Sequence, residues 1–315
     1  MKSAPTGGFS GTIVEKASLG LPELPNIGGS SSSTGLTGLL TGSHTSRVWY
    51  GGETKQRFAL LDTFGEQDVF RNGRELWHWD SDTKTATRTL LPADAGGPAP
   101  TPTGTATITP EQAAQQALDL VDPSTNVSTD RTGIVAGRAV YTLVLTPKDT
   151  RSRVASVRIS IDGQHKLPLS VQIYARGGSH PALDVSFTRV DFSVPGDEYF
   201  TFAPPAGAKT AQPKPSGSAE PFAAGTEKSA NPSVTPIGSG WTTVGKVVGV
   251  PSLSEIGKQN KDAGLLLGKL PAVHGSWGQG KLFESALVTA LFTNDGRVYF
   301  GAVDPDILYK AAGQK

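Results

Sequence analysis

From Arg47 to Val194 the chain consists almost entirely of short runs in which apolar and polar residues alternate with a period of two, broken once by an amphipathic helical segment. A period of two sends successive side chains to opposite faces, so each run reads as a strand with one dry and one wet face. Ala155, Val157, Ile159 and Ile161 alternate with Ser156, Arg158 and Ser160, and Leu169, Val171 and Ile173 with Ser170, Gln172 and Tyr174. Strands that need cover on only one side assemble as antiparallel sheet. The pattern predicts a curved antiparallel sheet with one helix, a container before it is a catalyst.

Strands are expected at 9–15, 46–50, 55–61, 67–71, 74–79 and 83–90, with Gly51-Gly52, Asn72-Gly73 and Asp80-Ser81-Asp82 as the turns of a meander. Trp77 and Trp79 stand two apart and share a face, and Thr83, Thr85, Thr87 and Thr89 make an exposed row. Thr109-Pro110-Glu111-Gln112 is a helix start with a capping threonine and a first-turn proline. That helix runs to about Val121, and its stripe of Ala113, Ala114, Ala117, Leu118 and Val121 lays it on the sheet. Further strands are expected at 125–135, 138–146, 154–161, 167–175 and 183–194. In the last, the apolar phase moves from 183, 185 and 187 to 190, 192 and 194, which calls for a bulge near Thr188.

The Gly, Pro and Ser-rich connection at 19–42 is too long for a hairpin, and Leu19, Leu21, Leu24, Ile27, Leu36, Leu39 and Leu40 make it too apolar for a solvated linker. It either packs on the sheet rim or forms a flap over a pocket. From Pro204 to about Pro236 little could form a core, which sets the division: a first domain at 1–208, a linker at 209–235 and a small α+β domain at 236–315. The last begins at Gly240-Trp241, with a helix around 252–267 and a hairpin over 281–303 turned at Asn294-Asp295-Gly296.

Composition excludes several functions. A formal net charge of +1 without a basic cluster argues against nucleic-acid binding. Zero cysteines remove disulfides, thiolate zinc sites and cysteine nucleophiles together. Apolar stretches such as Ala286 to Phe292 are far shorter than the roughly 20 residues that cross a bilayer. The N-terminus has no apolar signal segment, so the protein is cytosolic or the chain begins after an export signal. His44, His78, His165, His180 and His274 have no metal spacing, and Asp80 with Asp82 reads as a turn pair.

Gly275-Ser276-Trp277-Gly278-Gln279-Gly280-Lys281 has the spacing of a phosphate-cradling loop. Leu282, however, stands where a hydroxyl is needed, and strand-like alternation follows instead of a helix. Ser276 and His274 lack an orienting acid. No cofactor, metal or catalytic constellation is expected, and the protein is read as a non-enzyme.

Two stretches carry a family resemblance: Arg71-Asn-Gly-Arg-Glu-Leu-Trp-His-Trp-Asp80 and Asp197-Glu-Tyr-Phe-Thr-Phe-Ala-Pro-Pro-Ala-Gly207. With the Phe9-Ser-Gly-Thr-Ile-Val start, residues 9–208 resemble the outer-membrane lipoprotein carrier family (LolA) and its relatives, the sigma-E regulator RseB/MucB and actinobacterial envelope lipid carriers. Gly240-Trp241 and the stretch from Asn294 to Leu308 are similar to the second domain of the RseB-like regulators. Family members carry a helix before the first strand, whereas only eight residues precede Phe9. Either the chain begins inside that helix or the connection at 19–42 takes its place.

The resemblance implies an α+β fold, an unclosed β-barrel with a helical lid followed by the small C-terminal domain. It further implies an exported cell-envelope protein whose partner is a lipid or an acylated lipoprotein. Val48, Tyr50, Phe58, Leu60, Trp77, Trp79, Val157, Ile159, Val171, Ile173, Val185 and Phe187 are the candidate cavity lining, unless they are simply core. Leu36, Leu39, Leu40, Ala114 and Leu118 are the candidate lid. The alternative role is a regulator of an extracytoplasmic-function sigma factor that acts through the extracytoplasmic segment of an anti-sigma factor.

Overall fold

The computed structural model describes residues 7–20, 41–61, 65–92, 108–211, 234–251, 255, 264 and 267–314. The alternating runs become β1 (Phe9–Ser18), β2 (Thr41–Tyr50), β3 (Lys55–Leu61), β4 (Glu66–Asn72), β5 (Glu75–Asp80) and β6 (Thr85–Leu90), then β7 (Thr125–Val135), β8 (Arg138–Pro147), β9 (Val154–Asp162), β10 (Pro168–Ala175) and β11 (Pro181–Asp191). With β12 (Lys209–Ala211) they form one twelve-stranded sheet in the order β12-β6-β5-β4-β3-β2-β1-β11-β10-β9-β8-β7. The first strand is therefore the seam between two meanders, β2 to β6 and β7 to β11. The order has two ends, so the sheet is unclosed.

The bulge falls where the phase change requires it. Thr12 pairs with Arg189 and Ile13 with Phe187, which leaves Thr188 as the extra residue. The Pro110–Asp119 helix opens on a reciprocal capping box: Gln112 N donates to Thr109 Oγ1 at 3.2 Å and Thr109 N donates to Gln112 Oε1 at 3.0 Å. It ends before Val121, which is exposed together with Leu120. Its small residues Ala114 and Ala117 let it lie close on the sheet, in one core with Leu145, Val157, Ile159 and Val171.

A second, six-stranded sheet has the order β13-β14-β18-β17-β16-β15, built from β13 (Val234–Ile237), β14 (Val244–Val248), β15 (Ala272–Gly275), β16 (Gly278–Glu284), β17 (Thr289–Thr293) and β18 (Arg297–Gly301). The C-terminal Pro305–Gly313 helix buries Leu308, Ala311 and Ala312 against Val244, Trp277, Leu282, Leu291 and Tyr299.

Two expectations change here. Residues 281–303 hold three strands with two turns, because Ser285 closes a tight turn through bonds with Val288 before the one at Asn294-Asp295-Gly296. The phosphate-loop spacing is, as the strand-like alternation after it requires, the β15–β16 hairpin, in which Gly275 faces Gly278. The stretch 209–235 is not wholly linker, since Lys209, Thr210 and Ala211 pair in parallel with Thr85, Ala86 and Thr87 and β13 begins at Val234. Residues 212–233, most of the helix expected around 252–267, and residues 21–40 of the leucine-bearing connection lie outside the described residues.

The two sheets share a core. Trp241 and Leu287, from the second, are buried in the cluster that holds Leu19, Leu145, Val157 and Ala175. Trp241 Nε1 donates to Thr125 Oγ1 at 2.7 Å in a buried bond. Backbone bonds run from Ala286 N to Leu19 O (2.7 Å), Arg153 N to Ala302 O (2.9 Å) and Asp304 N to Arg151 O (3.1 Å). The Arg153 guanidinium adds an ion pair with Glu284 at 3.2 Å.

Candidate functional site

Residues directly opposed across an antiparallel ladder share a face. Val48 is opposed to Phe58 and Gly11, Ser46 to Leu60 and Ile13, and Tyr50 to Phe9. Across the seam Ile13 meets Phe187 and Glu15 meets Val185; Val185 then meets Val171, and Val171 meets Ile159, with Ile173 opposed to Val157. Val48, Tyr50, Phe58, Leu60, Val157, Ile159, Val171, Ile173, Val185 and Phe187 therefore line one face, the face on which the helix lies. Trp77 and Trp79 do not. Trp77 is opposed to Phe70, and Phe70 to Arg57; Trp79 is opposed to Asp68, and Asp68 to Ala59. Both tryptophans point to the reverse side.

The helix packs on β10 and β11, so it covers one part of this face and not the whole of it. On β8 to β11, Leu145, Ile159, Val171 and Val185 are buried, while Leu143, Ile161, Ile173 and Leu183 on the same face are half-buried. Gly11 belongs to the packing, since a Cβ there would stand 2.6 Å from the Phe187 ring. On β2 to β6, Phe58, Leu60 and Val69 are buried, whereas Val48, Tyr50, Leu76, His78 and Thr87 remain half-exposed. Burial raises the Tyr50 phenol pKa, and the nearby carboxylates of Glu111 and Glu53 add to the shift, which puts the first turn of the helix beside this half. Of the candidate lid, Ala114 is buried and Leu118 half-buried in the helix core; Leu36, Leu39 and Leu40 lie outside the described residues.

Two polar side chains on this face escaped the sequence reading. Glu15 is 6% exposed and its Oε2 has no hydrogen-bond partner among the described residues. Burial raises its pKa, against the Ile108 N–H that bonds the carboxyl and the neighbouring His44. His78, opposed to Val69, has a buried Nε2 that is likewise unpartnered, and burial lowers its pKa against the pull of Asp80. A signal for Glu15 was present: it occupies the apolar phase of Phe9, Gly11, Ile13 and Ala17.

The reverse face is covered by the segment that follows β11. Phe202 packs on Phe70, Trp77 and Trp79 at ring separations of 4.7, 5.5 and 6.0 Å, so the two stretches that carried the family resemblance lie against each other. Tyr199 stacks on Trp49, and the Phe200 ring occupies the space a side chain on Gly51 would need. The Arg57 guanidinium lies 4.6 Å from the Trp49 ring and 4.5 Å from the Phe70 ring, and its Nε donates to Asp68 Oδ1 at 2.9 Å. Burial pushes the Asp68 carboxyl up to about 6 despite that bond, and Glu66 adds to the rise.

Among the described residues no group of His, Cys, Asp and Glu could hold a metal ion, and no helix is long and apolar enough to cross a membrane. Asp80 closes its turn by accepting from Thr83 N at 2.8 Å, and His274 and Ser276 are both exposed on the β15–β16 hairpin.

The geometry defines a class: an unclosed antiparallel sheet with a helix on one face and a strap on the other, joined through a common core to a second sheet. In sequence, no protein-family model and no curated protein matches the chain. In structure it is similar to a chain of the Pseudomonas aeruginosa MucA/MucB complex, at 15% identity and a TM-score of 0.46 over 98% of this chain and 92% of that one. It is also similar to MucB solved by itself, at 16% identity and a TM-score of 0.41 over 98% and 91%. A LolA superfamily protein from Nitrosomonas europaea matches at 11% identity and a TM-score of 0.24, over 63% of this chain and 92% of that one.

Proposed function

We propose that the protein is a non-enzymatic, exported cell-envelope binder that holds an acyl chain of a lipid or lipoprotein against the β2–β6 half of its helix-bearing face. The observation that supports this reading is the incomplete cover of that face: the helix packs on β10 and β11, whereas apolar Val48, Tyr50 and Leu76 are half-buried beside buried Phe58, Leu60 and Val69. The lining residues are accordingly Val48, Tyr50, Phe58 and Leu60, and the Pro110–Asp119 helix is the lid. Val157, Ile159, Val171, Val185 and Phe187 serve as its floor and anchor. Burial contributes about 0.8 kcal/mol for each methylene, so a chain of about 14 carbons gains on the order of 11 kcal/mol before the costs of binding. Lipid extraction and native mass spectrometry of protein purified from its own host test the reading: a bound acylated species is expected, and its absence from every preparation refutes it.

The second sheet favours a second role. A carrier needs only the half-barrel, yet here Trp241 and Leu287 are built into its core. That construction suits a regulator that passes the state of the first sheet to a protein partner, the extracytoplasmic segment of an anti-sigma factor. Recovery of such a segment in a pull-down with the intact chain supports it, and none from intact membranes counts against it.

A further inference from the structure

Glu15 is a charge-bearing side chain in a position that its strand reserves for apolar residues. Its register neighbours on the shared face are His44 on β2 and Val185 on β11. The next residue of β2 on this face is Ser46, opposed to both Ile13 and Leu60, so Glu15 stands on the seam strand between the β2–β6 and β7–β11 meanders. Only 6% of the residue is exposed, and one carboxyl oxygen has no partner among the described residues. A buried polar atom without a partner costs about 1–3 kcal/mol, and a buried carboxylate costs more. Ile108, whose N–H bonds this carboxyl, immediately precedes the capping Thr109, which ties Glu15 to the entry of the helix.

We propose that Glu15 is the polar subsite of the acyl-chain site, and that it selects ligands whose chain ends in a neutral hydrogen-bond donor, an amide N–H or a hydroxyl, over those ending in an anion. The inference rests on the acyl-binding reading and adds the class of head group. An ionised carboxylate is an acceptor only, so its free oxygen is satisfied by an N–H or O–H. A fatty-acid carboxylate or a phosphate brings a second negative charge to a water-poor site, and two acids there cannot both ionise. The free acid enters only with a proton taken up at a cost, whereas an amide or glycerol ester enters as it is.

Equilibrium dialysis of the full chain with oleamide, monooleoylglycerol and oleate, each below its critical micelle concentration, separates these cases. The wild type is expected to hold the amide and the glycerol ester at least about tenfold more tightly than oleate. Glu15→Leu is expected to keep chain binding and bring the three ligands within about twofold. Glu15→Gln, close in size to the native residue and neutral, is expected to gain oleate binding while retaining oleamide, and it carries the test should Glu15→Leu not fold. Equal binding of the three by the wild type, or an unchanged preference in the variants, overturns the role of Glu15 and leaves acyl binding standing. Failure of all three ligands to bind overturns both.

Discussion

The bond between Trp241 and Thr125 joins the two sheets at a buried point, and its removal in two ways gives a measurable coupling. Trp241→Phe keeps an aromatic ring in the shared core but deletes the Nε1–H that reaches Thr125 Oγ1 at 2.7 Å. The lost bond is worth about 1 kcal/mol, and the buried threonine hydroxyl it leaves behind raises the cost. The smaller ring vacates on the order of 40 Å³, or about 1 kcal/mol at the usual cavity cost. Trp241→Phe is thus expected to lose about 2–3 kcal/mol. Thr125→Val orphans the indole N–H instead and is expected to lose about 1–3 kcal/mol. In the double variant neither group is left unpaired, so it should be about 1–2 kcal/mol more stable than the sum of the singles predicts. Urea unfolding followed by far-ultraviolet circular dichroism measures the cycle, with midpoints moving at constant slope because residues of both sheets share one core. Additivity within about 0.3 kcal/mol refutes the bond and, with it, the docking of the second sheet through Trp241.

Two pH-dependent predictions follow from buried carboxylates. Asp162 is 1% exposed; burial works to raise its pKa, but the Arg138 side chain and the N–H groups of His165 and Gln164 hold it at about 2, below its ordinary 3.8. Its contribution, about 2 kcal/mol, is present above pH 4 and lost as pH falls towards 2, so Asp162→Asn should be less stable at neutral pH and flatten that acid limb; parallel curves for the two proteins refute this. Asp68 has the opposite sign, because a folded value of about 6 lies above 3.8 and the folded state holds the proton more tightly. Stability should therefore fall as pH rises from about 4 to 6, and Asp68→Asn should abolish that slope in urea midpoints taken across the range; a slope that persists shows that another group titrates there.

Local patterns carried far in this chain because each has a local cause. The extra residue at Thr188 follows from a phase that strand geometry cannot otherwise accommodate, and the capping box follows from a threonine three residues before a glutamine. The face of Trp77 and Trp79 was not legible in the same way. Alternation shows that they lie together, but the registers of β3 with β4 and β4 with β5 decide which side that is, and both sides of this sheet are covered by aromatic or helical elements. A large apolar side chain is no guide to the inner face when Phe202 waits on the outer one. The pairing of β12 rests on three exposed residues with no pattern of their own, and the burial of Trp241 beside Val157 joins positions far apart in sequence. Glu15 was overlooked because a single acid in an apolar phase reads as noise until its neighbours are known.

The short parallel strand β12 lies at one end of the sheet order, and Thr125, which receives Trp241, belongs to β7 at the other. One polypeptide therefore joins the strand at one free edge of the sheet to the unit that is seated at the other, and among the described residues no hydrogen bond closes that sheet. While the chain is intact, the second sheet meets its seat within one molecule, whatever the amount of protein present. A single cut between Ala211 and Val234 would turn that docking into an encounter between two molecules, and its occupancy would then follow dilution.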